Sequence, residues 1–574
     1  MSDKDKPDIY DVVVLGAGLY GIQAARCYLD IHPTAKLVIL EGDDVVGGTW
    51  SSKRIYQSFW TQTPIGMAEF SDRPMTPPPL EDQYYGFFPA KYVTEYLESY
   101  VDDHAYNAQT LGSRISFGTQ VERLERYTEG SWTITCHRGR ILHADKVIDC
   151  TGMTSEPHVP DIPGKDRFEG LMIHHKDFGQ SSFLSDPSRH HIAVLGGAKS
   201  ASDVAYACAK AGKDVHWIIR EDGGGPGALL SAEGKGGYAS SIDGFYTRLV
   251  VPLLPNPFSK SSYFSNFLHC TKVGRWFFEK LWNIVDEDQR AKADFHRDEG
   301  QAMGFQNLEP DTAMFWQNDS PGINQRPDFF STIAQNVSVH RQSIEHLSPR
   351  SITLEPNVAA ENNARHILVD VVVLCTGWDP VSRIFPPRDA VKLGLAVPLS
   401  EQDQEEEAKW RALEGAKDRD ILRRFPFLAR TPPYRPAQPS HTPFRLYKAI
   451  APPSDIDSHS IAFLGKMVVG NNFRVAEVQA LWAVAYLDGK LKLDRSRIEE
   501  EIVETVTWCR RRYLNKGQLG SWFPLDTLAY TDMLLDQLRL SSHRRKDWIK
   551  DLVAPCVAAD LQGLIAEYKE LYSG

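Results

Sequence analysis

The sequence predicts an α/β protein built on two doubly wound dinucleotide-binding domains, with a helical, aromatic-rich insert and a helical C-terminal extension. Three observations predict it. Two separate stretches run from a short apolar strand through a glycine turn into a helix, the opening of a βαβ unit in a parallel sheet. A segment crowded with aromatic residues interrupts the second unit. Beyond Asp494 the chain alternates helical patterns with polar turns. The length of 574 residues fits two to four domains at ~100–200 residues each.

The first unit lies between Asp11 and Tyr28, where VVVL meets GAGLYG and then IQAARCYL. In Gly16-x-Gly18-x-x-Gly21, Gly16 permits the tight turn, Gly18 admits a pyrophosphate close to the backbone, and Gly21 lets helix and strand pack. The pyrophosphate then meets free N–H groups at the helix N-terminus. Glu41 closes the next strand, LVIL, where a carboxylate binds ribose hydroxyls. The unit is Rossmann-like in every part. The second unit, His191 to Lys210, runs IAVL, GGAKSA, SDVAYACAK. Here Ala198 stands where the middle glycine is usual, after Gly196 and Gly197 and before Lys199 and Ser200. Its next strand, VHWII, ends at Arg220, a residue type suited to a 2′-phosphate. Glu221 beside it would suit a free 2′-hydroxyl instead.

Further segments resemble one family. After Glu41 comes DDVVGGTW, and Gly47-Gly48-Thr49-Trp50 resembles the segment lying along FAD in flavin-containing monooxygenases. Between the units, Phe168-x-Gly170-x-x-x-His174-x-x-x-Phe178 resembles the fingerprint of flavin-containing and Baeyer–Villiger monooxygenases, which sits on the interdomain linker. Phe178-Gly179 is closer to the flavin-containing version. Cys150-Thr151-Gly152 and Cys375-Thr376-Gly377 resemble the A-T-G strands that cross between domains, and IAFLGKMVV with Val478 to Trp482 resembles the return to the flavin domain. The likeness covers roughly Tyr10 to Asp488, and order and spacing carry it more than any single motif.

The resemblance implies an FAD-dependent monooxygenase of the fungal secondary-metabolism type. NADPH would pass a hydride to FAD, and the reduced flavin with O2 would give a C4a-hydroperoxyflavin that oxygenates a lipophilic small molecule. It implies FAD contacts at Gly16, Gly18, Gly21, Glu41, Gly48, Thr49, Trp50, Thr61 and Gln62, and NADPH contacts at Gly196, Ala198, Lys199, Ser200 and Arg220. Many family members carry Y-x-S-x-x-x-N-x-x-K, whose asparagine faces flavin and oxygen. This chain has Tyr56-Gln57-Ser58-Phe59-Trp60-Thr61-Gln62, so Gln62 takes the catalytic place and the lysine is lost. His174 is expected to be structural. The alternative is a Baeyer–Villiger enzyme acting on a ketone, although the usual Y-P-G-x-R-x-D stretch after G-G-T-W is absent.

The implied domains are an FAD-binding domain at 8–180 and 381–490, an NADPH-binding domain at 185–380 with the insert at 244–305, and the extension at 491–574. Within the insert, Val273, Trp276, Phe277, Leu281, Ile284 and Val285 follow helical spacing and are expected to pack. Phe278 and Trp282 widen that face and are expected to line substrate access or a membrane contact.

Composition excludes other classes. The net charge of -11 and the lack of a basic run argue against a nucleic-acid partner. The eight cysteines form no C-x-x-C pair, which removes zinc-ribbon and dithiol-reductase readings, leaves no metal site, and suggests a reducing compartment. The start, MSDKDKPDIYDVVVLG, passes from a polar tail into a strand without a signal segment. No apolar run reaches the ~18 residues of a spanning helix. A cytoplasmic protein is expected, at most peripheral on a membrane. The oligomeric state leaves no mark in the sequence.

Overall fold

The computed structural model describes residues 8–128, 130–298, 303–356 and 366–572. Four helices matter for the site: α1 (Leu19–Ile31), α2 (Lys199–Lys210), α3 (Lys272–Ala293) and α4 (Asn472–Leu487).

The first sheet has seven strands. Asp8–Leu15 lies between Leu37–Leu40 and Ile141–Asp149, parallel to both, and Ile461–Phe463 joins the far side of Ile141–Asp149, again in parallel. Val12, Val13, Val14 and Leu15 are buried on both faces, as a central parallel strand requires. An antiparallel ribbon, Val121–Thr128 and Ser131–Cys136, extends this sheet. Helix α4 is apolar on nearly all sides and buried along its length, packed between α1 and the helix Thr527–Gln537.

The second sheet is parallel throughout, in the order Val337–Arg341, Asp214–Ile219, His191–Leu195, Val371–Leu374, Leu171–His174. The fingerprint segment is therefore not simply linker. Leu171–His174 is an edge strand paired with Val371–Leu374. It is short and flanked by polar residues, so its sequence carries no strand pattern.

The chain between Ile219 and Val337 is longer than the aromatic stretch alone. It includes a small parallel pair, Leu229–Ser231 with Gly322–Asn324, and the helices Tyr263–Cys270 and α3. On α3 the expected faces are reversed except at Val285, which packs against the core as expected. Phe278 and Trp282 are 3% and 5% exposed, packed on Phe315, and Phe278 also meets Phe427. Trp276 and Phe277 are 55% and 58% exposed, and Val273, Leu281 and Ile284 face outward with them. The buried stripe is the one that meets aromatic partners from distant segments. Helical spacing alone does not identify those partners.

The C-terminal extension ties the layers together. Trp522–Phe523 pairs with Val468–Val469, Cys556 N–H donates to Tyr246 O at 2.8 Å, and Ala558 N–H donates to Gly66 O at 2.8 Å. Buried Arg512 donates to Phe315 O and lies 3.6 Å over the Phe315 ring. Among the described residues no helix is long and apolar enough to cross a membrane, and no cluster of ligating side chains could hold a metal.

Candidate functional site

The two glycine turns are built alike. Gly16 has φ +97°, and a Cβ there would come within 3.0 Å of Cys150 O. Gly196 has φ +136°, and a Cβ there would lie 2.3 Å from Cys375 O. Each turn thus presses on the backbone carbonyl of the first residue of a Cys-Thr-Gly segment, at a φ that favours glycine. Gly21 would put its Cβ 1.8 Å from Gly16 O, so only glycine lets α1 start there.

Gly18 and Ala198 are the N-caps of α1 and α2, both extended, at φ -76° and -94°. Alanine is unstrained at that geometry, which accounts for the departure from the usual glycine. Neither cap side chain bonds the helix, so the first N–H groups of both helices remain available to an anion. A Cβ on Gly18 would meet nothing closer than Gly48 Cα at 3.6 Å, leaving room for a pyrophosphate.

Gly47 and Gly48 are both left-handed, at φ +114° and +58°, and Gly47 N–H donates to Ala17 O at 3.0 Å. The Gly-Gly-Thr-Trp segment therefore lies directly on the first turn. Thr49 Oγ1 pairs with Thr154 Oγ1 at 3.0 Å, and Trp50 stacks on Phe59 at 5.5 Å. Glu41 accepts from Ala17 N–H at 2.6 Å and Asp43 N–H at 2.9 Å, one bond per oxygen, so each oxygen keeps a lone pair for a ribose hydroxyl. These features fit FAD.

Thr61 is fully buried and exchanges bonds with Phe88: its N–H donates to Phe88 O at 2.8 Å and its hydroxyl accepts from Phe88 N–H at 3.2 Å. It holds the loop that presents Gln62, whose side chain is exposed. Gln62 Oε1 accepts from Ile323 N–H at 2.9 Å, and its amide nitrogen has no partner among the described residues. On the same strand, a Cβ on Gly322 would lie 2.6 Å from Lys199 Cδ and 3.0 Å from Gln62 Oε1. Gln62 and Lys199 thus converge from the two domains.

Lys199 turns into this junction. Its Nζ pairs with Asp203 Oδ1 at 2.5 Å, and burial holds its pKa below the ordinary lysine value. Arg326 pairs with the same oxygen at 2.9 Å and donates to Ser58 O on the flavin side. Two cations share one carboxylate. Sequence reasoning missed Arg326, since a lone arginine before a proline carries no periodicity and its partners lie in two other segments. Ser200 occupies the first turn of α2, and Arg220 follows strand Asp214–Ile219, its side chain 70% exposed.

His174, expected to be structural, is bonded at both ring nitrogens. Its Nε2 bonds Gly377 O at 2.9 Å and its Nδ1 accepts from Lys176 N–H at 3.2 Å, with burial keeping it neutral. Neighbouring His175 is pushed down to about 3 by burial. All eight cysteines are free, and those beside the turns are single: Cys150 lies at Gly16 and Cys375 at Gly196.

The profile of the pyridine nucleotide-disulphide oxidoreductase family matches residues 13–227. An FAD-dependent monooxygenase of Aspergillus sclerotiorum is 32% identical, over 98% of this chain and 98% of its own. One from Pyrenophora dematioidea is 32% identical, over 95% of this chain and all of its own. Cyclohexanone monooxygenase from Rhodococcus sp. Phi1 bound to NADP+ has the same fold, with a TM-score of 0.59 at 17% identity, over 92% of this chain and 97% of its own.

Proposed function

The chain belongs to the FAD-dependent monooxygenases, and from that premise we propose that it uses NADPH and O2 to oxygenate a lipophilic small molecule of secondary metabolism where Gln62 meets Ile323. One observation carries the reading: the loop following the flavin segment bonds the strand that also covers Lys199, at the start of the second nucleotide helix. When bound, FAD accepts a hydride from the nicotinamide and activates O2. The chain's own residues hold and screen the reactants. Gly16, Gly18, Gly21, Glu41 and Gly48 seat FAD, with Thr49 and Trp50 bracing the flavin segment. Gly196, Ala198, Ser200 and Arg220 seat NADPH. Thr61 fixes the loop, and the free amide N–H of Gln62 would serve as a donor to an oxygen at this junction once FAD is bound.

Baeyer–Villiger insertion into a ketone is the second reading. One feature favours it: Lys199 and Arg326 share Asp203, so the junction carries surplus positive charge and favours an anionic oxidant. The outward aromatic face of α3 supports a peripheral membrane contact, and the free thiols support a reducing, cytoplasmic compartment.

The test is NADPH oxidation by the purified, FAD-loaded protein under 18O2 with a panel of lipophilic amines, sulfides, phenols and ketones. One labelled oxygen atom in a product is expected, and its position decides between the readings. NADPH consumption with no labelled product from any member of the panel would count against both.

A further inference from the structure

The strand Gly322–Asn324 and the two residues after it grip the flavin-side loop Ser58 to Gln62 at three points. Ile323 N–H donates to Gln62 Oε1 at 2.9 Å, Gln325 Nε2 donates to Thr61 O at 2.7 Å, and Arg326 donates to Ser58 O. On its other side the loop is tied within the first domain, where both the N–H and the hydroxyl of Thr61 bond Phe88.

Gln325 stands out in this set. It is 1% exposed, so water does not satisfy its amide. A carbonyl oxygen only accepts, so the atom facing Thr61 O is the Nε2 donor. Gln325 Oε1 is left with no partner among the described residues. An apolar side chain of the same size would avoid the cost of that buried acceptor, so packing does not account for a glutamine here. The bond to Thr61 does.

That bond has a directional consequence. Thr61 O belongs to the peptide joining Thr61 to Gln62, and a peptide is planar. Holding its oxygen restrains the plane, and with it the direction in which Gln62 leaves the backbone. Gln62 is then held at both ends, by Gln325 at its backbone and by Ile323 at Oε1. Its amide nitrogen, without a partner among the described residues, has one direction left. A donor acts best on a reacting oxygen when it is held in advance and has nothing to reorganise. The grip comes from the other domain. Arg326, next in the chain, pairs with Asp203, which also holds Lys199 on α2.

We propose that Gln325 is a positioning residue for the oxygenation, aiming the amide of Gln62 by holding the Thr61–Gln62 peptide from the second domain. This rests on the reading of Gln62 as a donor given above and extends it to a residue that acts through Gln62.

The test compares Gln325→Met, which keeps the volume and removes the donor, with Gln62→Ala and with the double variant. Two quantities are read: deuterium uptake by the peptide spanning 58–64 in flavin-free protein, and hydrogen peroxide formed per NADPH consumed by the FAD-loaded protein. In Gln325→Met the uptake should quicken about tenfold, the loss of one hydrogen bond. Its peroxide yield should rise to that of Gln62→Ala, with the double variant no higher, since both changes remove the same aimed donor. FAD affinity should hold. Gln325→Glu gives a rescue, because its carboxyl donates to Thr61 O again once protonated. Its excess peroxide over the wild type should therefore shrink as pH falls. If Gln62→Ala itself forms no extra peroxide, the Gln62 reading fails and takes this inference with it. If Gln62→Ala uncouples but Gln325→Met leaves uptake or peroxide unchanged, the inference alone fails. It fails equally if the double variant adds the two effects or if Gln325→Met loses FAD, either of which would make Gln325 a general brace. Should Gln325→Met not fold, an excess for Gln325→Glu that stays flat with pH overturns it.

Discussion

At the scale of single residues, the glycines of the first turn do different jobs, and substitution separates them. Gly21→Ala drives a methyl into Gly16 O, and overpacking of this kind costs ~1–3 kcal/mol. Gly18→Ala meets no protein atom closer than 3.6 Å. We expect thermal melts of flavin-free protein to drop for Gly21→Ala and hold for Gly18→Ala, while both lose FAD affinity in a flavin-fluorescence titration. Equal melting temperatures for the two would refute the assignment. Gln62→Ala is expected to leave flavin reduction by NADPH intact while diverting turnover to hydrogen peroxide, read as peroxide formed per NADPH consumed. Unchanged coupling would leave Gln62 a mere brace for Ile323. The glycines were legible in the sequence because a turn against a strand end permits little else. The partners of Gln62 were not, because Ile323 and Lys199 reach it only through the tertiary fold.

At the scale of elements, helix α3 shows where periodicity runs out. Its apolar residues cover two adjoining stripes, so spacing predicts a helix and leaves the buried side open. Phe315, Phe427 and Arg512 settle it by packing on Phe278 and Trp282. Phe278→Ala and Trp282→Ala should each cost ~3–5 kcal/mol of stability, the range for aromatic truncation in a core. Trp276→Ser with Phe277→Ser should leave the melting temperature within a degree or two, on the order of a surface change. The outer face joins Tyr263, 99% exposed, to Phe264, Phe267, Val273, Trp276 and Phe277, with Lys272, Arg275 and Lys280 among them. Aromatic rings with basic neighbours suit a lipid headgroup layer. We expect the wild type to sediment with vesicles containing phosphatidylserine and the double variant to remain in solution. A wild type that stays in solution would remove the membrane contact.

At the scale of the whole molecule, the C-terminal extension is a strap across both domains, and its buried network responds to pH. Tyr513 donates to Asp526 Oδ2 at 2.5 Å, Asp526 Oδ1 has no partner, and burial lifts this carboxyl to about 7. The folded chain therefore holds a proton that the unfolded chain has released above about 4. Stability from this group is full below that value and is lost as pH rises through about 7. Asp526→Asn should melt progressively higher than the wild type between pH 5 and 8, and a constant gap would show that Asp526 does not titrate there. Two nucleotide-binding units and their order could be read from motifs that local backbone rules dictate. The edge strand Leu171–His174 and the antiparallel ribbon could not, since short strands take their identity from neighbours. The pairing of Ile461 with Val147 has a further consequence, for synthesis. A ribosome adding ~5–20 residues per second makes Val147 wait tens of seconds for its neighbour, and the entire second sheet emerges in between. The second domain is free to fold while the first still lacks its last strand, so the nascent first domain exposes a sheet edge until late in translation. That interval is when the chain is most open to mispairing and most dependent on whatever shields it.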